Sequence, residues 1–206
     1  MSVIGLRLKK DLCGEPTIML EEHTTKKAIA TTRSFEYTFS DFENLKERTA
    51  TFASSCAEKL RKQRTTCSLI YVFLKSNRHK QEQEQHRAGF TITLPYATDS
   101  TLVIVKYAIK ALRLIYEKGI HYKKAGVVVM GLAPANTKQL ELFRQENPKH
   151  KPLMTVIDRL NDRYGSYKIK IANQDLQRTW KMRQEHLSPQ YTTKFADIIE
   201  VNCEKS

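Results

Sequence analysis

One stretch constrains this chain more than any other: CSLIYVFLK, Cys67–Lys75. It is apolar on both of its alternating faces, and it is too short to favour a buried helix. An extended segment with no polar face belongs in the interior of a sheet, with a strand on each side. Whatever the chain folds into must therefore supply neighbours for this strand.

The flanking sequence supplies them in the order βαββαβ. KKAIATTRSF, Lys26–Phe35, has the threonine and β-branched content of a strand. The next segment opens with Ser40 and Asp41 as caps and with acids in its first turn. Leu45, Thr49, Phe52, Cys56 and Leu60 then recur at spacings of three and four, which is one face of a helix. After Cys67–Lys75 the polar run Ser76–His86 makes a turn, and AGFTITLPY alternates, with Phe90, Ile92 and Leu94 on one side and Thr91 and Thr93 on the other. Asp99–Lys118 is the strongest helical pattern, with Leu102, Val105, Ile109, Leu112 and Tyr116 on its apolar side and Gly119 ending it. YKKAGVVVMGL is a last buried strand. The expected fold class is α+β: a four-stranded sheet with two helices on one face.

Both ends are smaller pieces. Ser2–Glu22 reads as a short amphipathic helix carrying Val3, Ile4, Leu6, Leu8 and Leu12, stopped by Gly14 and Pro16 and followed by an extended segment at Thr17–Leu20. Beyond Pro134 a polar linker runs to Pro152. LMTVIDRLNDRYG then reads as a helix ended by Gly165, SYKIKIA as a strand, DLQRTWKMRQEHL as helical or extended, and SPQYTTKFADIIEV as a loop and a strand, together a small α/β extension. Trp180 and Met182 are expected in the core of that extension, with anchoring of a partner as the alternative.

The charge balance is basic, with 35 Lys and Arg against 22 Asp and Glu, a formal +13 over 206 residues. Such a field suits a polyanion. No apolar run approaches the roughly 20 residues of a membrane span, and the N-terminal stretch is not of signal-peptide type. Cys13, Cys56, Cys67 and Cys203 are scattered without CxxC spacing, which points to a reduced, cytoplasmic setting, and the six histidines show no ligand spacing. Enzyme signatures are missing too: there is no glycine-rich phosphate loop, no GxSxG elbow and no HExxH. The strand interiors 27–34, 67–74, 88–94 and 124–132 hold no Asp or Glu, so divalent metals for phosphoryl transfer would find no carboxylates there. The expectation is a binding module without catalysis and without a cofactor of its own.

Two helices cover one face of a four-stranded sheet, and the other face must meet solvent or a partner. The Thr91 and Thr93 side of the third strand is the natural open side, with Arg87 at its start and with Arg33, Lys75 and Arg78 in neighbouring elements. Small hydroxyls among Arg and Lys can approach phosphates without reading bases.

These segments resemble a known family. GLRLKKDLCGEPTIMLEE, TTRSFEYTF, CSLIYVFLK and YKKAGVVVMGL are similar to the end of the thumb and the little finger of UmuC-type Y-family DNA polymerases, and LMTVIDRLNDRYG and LSPQYTTKFADIIEV are similar to the C-terminal extension of that branch. The resemblance implies four parts: thumb end and linker at 1–25, DNA-binding little finger at 26–133, linker at 134–152 and extension at 153–206. It implies that Arg33, Ser34, Arg87, Thr91 and Thr93 touch template–primer backbone phosphates; Lys75 and Arg78 join them on charge and position. It further implies a catalytic palm with Mg2+ elsewhere in the parent enzyme, and partnership with a UmuD-type subunit and a recombinase filament.

The linker segment QLELF resembles the sliding-clamp-binding peptide of bacterial polymerases, with Leu140, Leu142 and Phe143 for an apolar pocket and Gln139 for its rim. Packing of Leu140 and Phe143 back onto their own domain is the alternative. For the whole chain the alternatives are an RNA-binding module or a protein-interaction module. An RNA-recognition sheet stacks bases on exposed aromatics, whereas RAGFTIT puts Thr91 and Thr93 on the open side.

Overall fold

A computed structural model describes residues 2–17, 26–80, 82–136, 147–174 and 187–199. The chain divides into two compact units, Met1–Gln174 and Asp175–Ser206. The first is an α+β fold built on an antiparallel sheet. Its elements follow as α1 (Val3–Leu12), β1 (Ala28–Phe39), α2 (Phe42–Lys62), β2 (Thr65–Ser76), β3 (Arg87–Thr98), α3 (Thr101–Ile115), β4 (Tyr122–Met130), the two-residue β5 (Ala133–Pro134) and α4 (His150–Tyr164).

Strand order is β1-β4-β2-β3, with β5 pairing the start of β2. The doubly apolar strand β2 is thus an inner strand. Ile70, Val72 and Leu74 of β2 stand beside Val129, Val127 and Ala125 of β4, and all six are buried. α2 and α3 both lie on this side. Leu45, Thr49, Phe52, Cys56 and Leu60 of α2 are buried as one stripe, as are Val105, Ile109 and Leu112 of α3. Leu102 departs from its expected place at the core, being 36% exposed. α3 is also shorter than the pattern suggests, since Tyr116 is already extended, with ψ 131°, four residues before Ile120 returns to the core.

Asp41, rather than Ser40, caps α2: its Oδ2 accepts the Asn44 amide at 3.0 Å. Cys56 and Cys67 are buried. Burial, with Cys56 and Asp99 nearby, pushes the Cys67 thiol up to about 12, so it stays neutral and behaves as a small apolar side chain.

Helix α4 packs beside the C-terminal turns of α2 and the start of α3, where His150 Nδ1 lies 3.0 Å from Ser100 Oγ. Its anchor is Met154, 1% exposed, together with an ion pair to α2. Arg61 donates from Nε and Nη2 to the two carboxylate oxygens of Asp158 at 2.6 and 2.7 Å, and from Nη1 to the Asp99 carbonyl at 2.7 Å. The half-buried bidentate geometry makes this stronger than an exposed pair.

The strand expected at SYKIKIA is instead a run of turns. Side chains take the backbone groups a ladder would use: Asn161 donates to the Ile169 carbonyl and accepts its amide at 3.0 and 2.8 Å, and Gln174 Oε1 accepts the Ile171 amide. In the second unit, residues 187–199 hold one 3-10 turn, Phe195–Asp197, and no strand. The Gln190 amide, and then Lys194, holds the Asp197 carboxyl below its ordinary range. Trp180, Met182 and Cys203 lie outside the described residues, as do residues 18–20 of the extended segment expected at Thr17–Leu20.

Replacing Asp158 by Ala leaves Arg61 half-buried without its partner. Hydrogen exchange should then quicken in α4 by about tenfold, roughly 1.4 kcal/mol of lost local stability, with α2 amides little changed. Equal loss of protection in α2 and α4 would mean that α4 is not a separable element.

Candidate nucleic-acid interface

The side of the sheet away from α2 and α3 is defined by register. Cα partners align in rows across β1, β4, β2 and β3. The first three rows are Ala28–Met130–Leu69–Thr93, Ala30–Val128–Tyr71–Thr91 and Thr32–Gly126–Phe73–Gly89. The fourth is Ser34–Lys124–Lys75–Arg87. Three cations and one hydroxyl therefore cross the whole sheet in a single line, with neighbours about 4.8 Å apart by strand spacing. None of the positions 28–34, 69–75, 87–93 and 124–130 is Asp or Glu. Like charges directly opposite each other in a sheet are unfavourable, so this line is a place where an anion would bring relief.

The site residues expected from sequence fall into three groups. Ser34, Lys75, Arg87, Thr91 and Thr93 share the open face, and Ser34, Arg87, Thr91 and Thr93 are exposed. Arg33 does not share it. Its register partner is Ala125, which is buried under the helices, so Arg33 stands on the helix side of edge strand β1 and is exposed only because that edge is. Arg78 sits in the exposed turn between β2 and β3, off the row, with its Nε donating to His79 Nε2 at 3.4 Å. Gln139, Leu140, Leu142 and Phe143 lie outside the described residues.

Sequence reasoning missed Lys124, Tyr71 and Phe73. Lys124 joins the row only because β4 inserts between β1 and β2, and strand order has no local signature. The aromatic pair had a signal: an inner strand apolar on both faces must put alternate residues on the open side.

The rings lie flat. Tyr71 and Phe73 stack with centroids 5.9 Å apart and planes at 30°, and Lys75 Nζ stands 5.1 Å from the Phe73 centroid. Glycine makes this possible. A Cβ on Gly89 would fall 2.7 Å from Tyr71 Cζ, and one on Gly126 would fall 2.6 Å from Phe73 Cζ. Phe73 is 8% exposed, so its face is closed to a base, and Tyr71 is half-buried. The surface is flat in the middle, hydroxyl-bearing on β3 and cationic along one row. That arrangement can hold phosphates and offers little for reading base edges. Among the described residues no cluster of His, Cys, Asp and Glu could hold a metal ion, and no helix is long and apolar enough to cross a membrane.

Residues 26–142 match the model of the impB/mucB/samB family C-terminal domain, and residues 151–201 match a domain of unknown function (DUF4113). The chain is 32% identical over 203 residues to Protein UmuC of Salmonella typhimurium, covering 97% of this chain and 48% of that one. It is 34% identical over 200 residues to Protein SamB of the same organism (96% and 47%). With Protein MucB of Escherichia coli the figures are 32% over 199 residues (95% and 47%). The chain thus spans about half the length of these curated relatives. Among solved structures it is similar to the insertion ternary complex of Dbh DNA polymerase, at 12% identity and a TM-score of 0.42, covering 65% of this chain and 36% of that one. A Y-family DNA polymerase chimera, Dbh-Dpo4(243-245)-Dbh, gives 14% identity and a TM-score of 0.43 at the same coverage.

The glycine–ring contacts yield a packing test. Gly89→Ala should cost about 1–3 kcal/mol by displacing Tyr71. In a chemical-denaturation cycle with Tyr71→Ala, the double variant should lose less than the sum of the two single losses, by at least about 0.5 kcal/mol. Strict additivity would mean that the ring does not depend on the missing Cβ.

Proposed function

The chain belongs to the impB/mucB/samB family, and we propose that it is the part of a lesion-bypass DNA polymerase that grips the template–primer duplex. The observation that carries this reading is the row Ser34–Lys124–Lys75–Arg87 on a sheet face whose paired strand positions hold no carboxylate and which neither α2 nor α3 covers. Thr91 and Thr93 add hydroxyl donors on β3. Arg78 extends the positive field into the β2–β3 turn, and Arg33 does so along the outer edge of β1. Contact of this kind tracks the sugar–phosphate backbone and ignores base identity. An enzyme that copies damaged template needs that indifference, because the lesion's shape is unpredictable.

In this reading the chain does no phosphoryl transfer. The carboxylates and Mg2+ of polymerisation would belong to the other part of such an enzyme, where they would activate the primer hydroxyl and neutralise the developing charge. A UmuD-type subunit and a recombinase filament are the further partners, in the cytoplasm where the chromosome lies. Gln139–Phe143 would serve as a clamp-binding peptide, delivering Leu140, Leu142 and Phe143 to an apolar groove on a sliding clamp. The RNA-binding alternative gains one feature, the half-buried Tyr71, but Phe73 is too covered to provide a second stacking ring.

Arg87→Ala should weaken duplex binding alike for all sequences and lower the slope of log K against log salt by about 0.9, the value for one phosphate contact. A changed sequence preference would defeat the backbone reading, and so would tighter binding of single-stranded RNA than of primer–template at matched salt. Leu142→Ala with Phe143→Ala should abolish clamp binding in a pull-down and leave the melting temperature unchanged. A large fall in melting temperature would instead place these residues in the domain's own core.

A further inference from the structure

A second basic surface lies beside α4, at the start of β2 and so at the opposite end of that strand from the cationic row. A groove of about 1150 Å³ runs between α4 and the corner at which α2 turns into β2. Among the described residues, six cations and three carboxylates line it. Two of the cations are committed: Arg61 to Asp158, and Lys62 to Glu58 at 2.7 Å and Asp162 at 3.5 Å. Arg64, Lys151, Arg159 and Arg163 are left, with Asp99 as the remaining carboxylate. Among the described residues Arg64, Lys151 and Arg159 make no ion pair and no side-chain hydrogen bond, and Arg163 only stands 5.5 Å from the Tyr164 ring centroid.

Their placement is regular. Lys151, Thr155, Arg159 and Arg163 recur every fourth residue of α4, all exposed, so they form one row with steps of about 6 Å. Arg159 and Arg163 are like charges four residues apart, a spacing at which they weaken a helix. Arg64 faces the row from the other wall and holds a left-handed backbone, φ 55°, where glycine would sit more easily. Strain and repulsion thus concentrate on one groove, and an anion threaded along it would relieve the repulsion.

We propose that this groove binds the phosphate backbone of one nucleic-acid strand. A concave site of this size takes a single strand, whereas a duplex would touch only its rim. The neutral side chains in the lining are small, Pro134, Ala135, Asn136 and Thr155, so an acidic peptide would find no pocket for an anchoring side chain. Thr155 and Asn136 can donate to phosphate oxygens, and Tyr164, 59% exposed at the end of the row, offers a ring on which a base can stack.

The test uses the full chain with its sheet row disabled by Lys75→Ala and Arg87→Ala. In that background Arg159→Ala with Arg163→Ala should weaken binding of a fluorescent thymidine oligonucleotide by about tenfold and lower the salt slope by about 1.4, at roughly 0.7 per single-strand phosphate. Lys151→Ala, exposed and in the same row, should lower the slope by about 0.7. With the sheet intact, the Arg159 and Arg163 variant should keep its duplex affinity, which separates this proposal from the sheet reading. Unchanged oligonucleotide affinity in both groove variants overturns the proposal, and so does displacement of the oligonucleotide by polyglutamate as effectively as by unlabelled oligonucleotide.

Discussion

The open face exists because β2 has a strand on each side and both long helices behind it. Antiparallel pairing then fixes which side chains meet. With β4 on one side and β3 on the other, Lys75 stands between Lys124 and Arg87, and no freedom remains to place them elsewhere. A slip of one residue in any of these strands would send the cations toward the helices and bring Leu74 or Ala125 into solvent. Burial of Ile70, Val72, Leu74, Ala125, Val127 and Val129 therefore locks the register that lines up the charges. The hydrophobic core and the cationic row are two faces of one pairing scheme.

The row is held by the pairing and opposes it mildly. Adjacent like charges disfavour the sheet by a few tenths of a kcal/mol per pair, against several kcal/mol for the apolar side chains beneath. The cations can stay together without unfolding anything. The glycines at 89 and 126 act in the same direction through shape. By letting Tyr71 and Phe73 lie flat, they keep the centre of the face low, so that a rigid helical polyanion could rest on the row and on the β3 hydroxyls together.

Much of this was legible in the sequence, and the illegible part has one cause. Periodicity within a segment located the inner strand, the buried stripe of α2 and the outward Thr91 and Thr93, because side-chain direction follows from local geometry. Periodicity does not say which strands are neighbours. Lys124 looked like one lysine of a buried strand until β4 was seen between β1 and β2. Arg33 looked like a partner of Ser34, although adjacent residues of one strand face opposite ways. The turns at 166–172 read as a strand because their backbone groups bond to Asn161 and Gln174, and no alternation rule anticipates a side chain standing in for a ladder. The Arg61–Asp158 pair, 97 residues apart, lay beyond local reading altogether.

A row of three cations sets a limit on what such a face can do alone. Each phosphate neutralised on a duplex adds about 0.9 to the salt slope, so three give about 2.7, and a fourfold rise in salt costs roughly fortyfold in affinity. A grip of that kind is weak under cellular ionic conditions and lets go easily. For a module proposed to hold damaged template only briefly, easy release is useful, but occupancy must then come from elsewhere. A tether supplies it without new contacts, by raising the local concentration at the primer end to the millimolar range. The polar linker between Pro134 and Pro148, with its three large apolar side chains, is suited to provide one. In this scheme the sheet need only recognise a phosphate backbone, and the decision about where to bind passes to the tether.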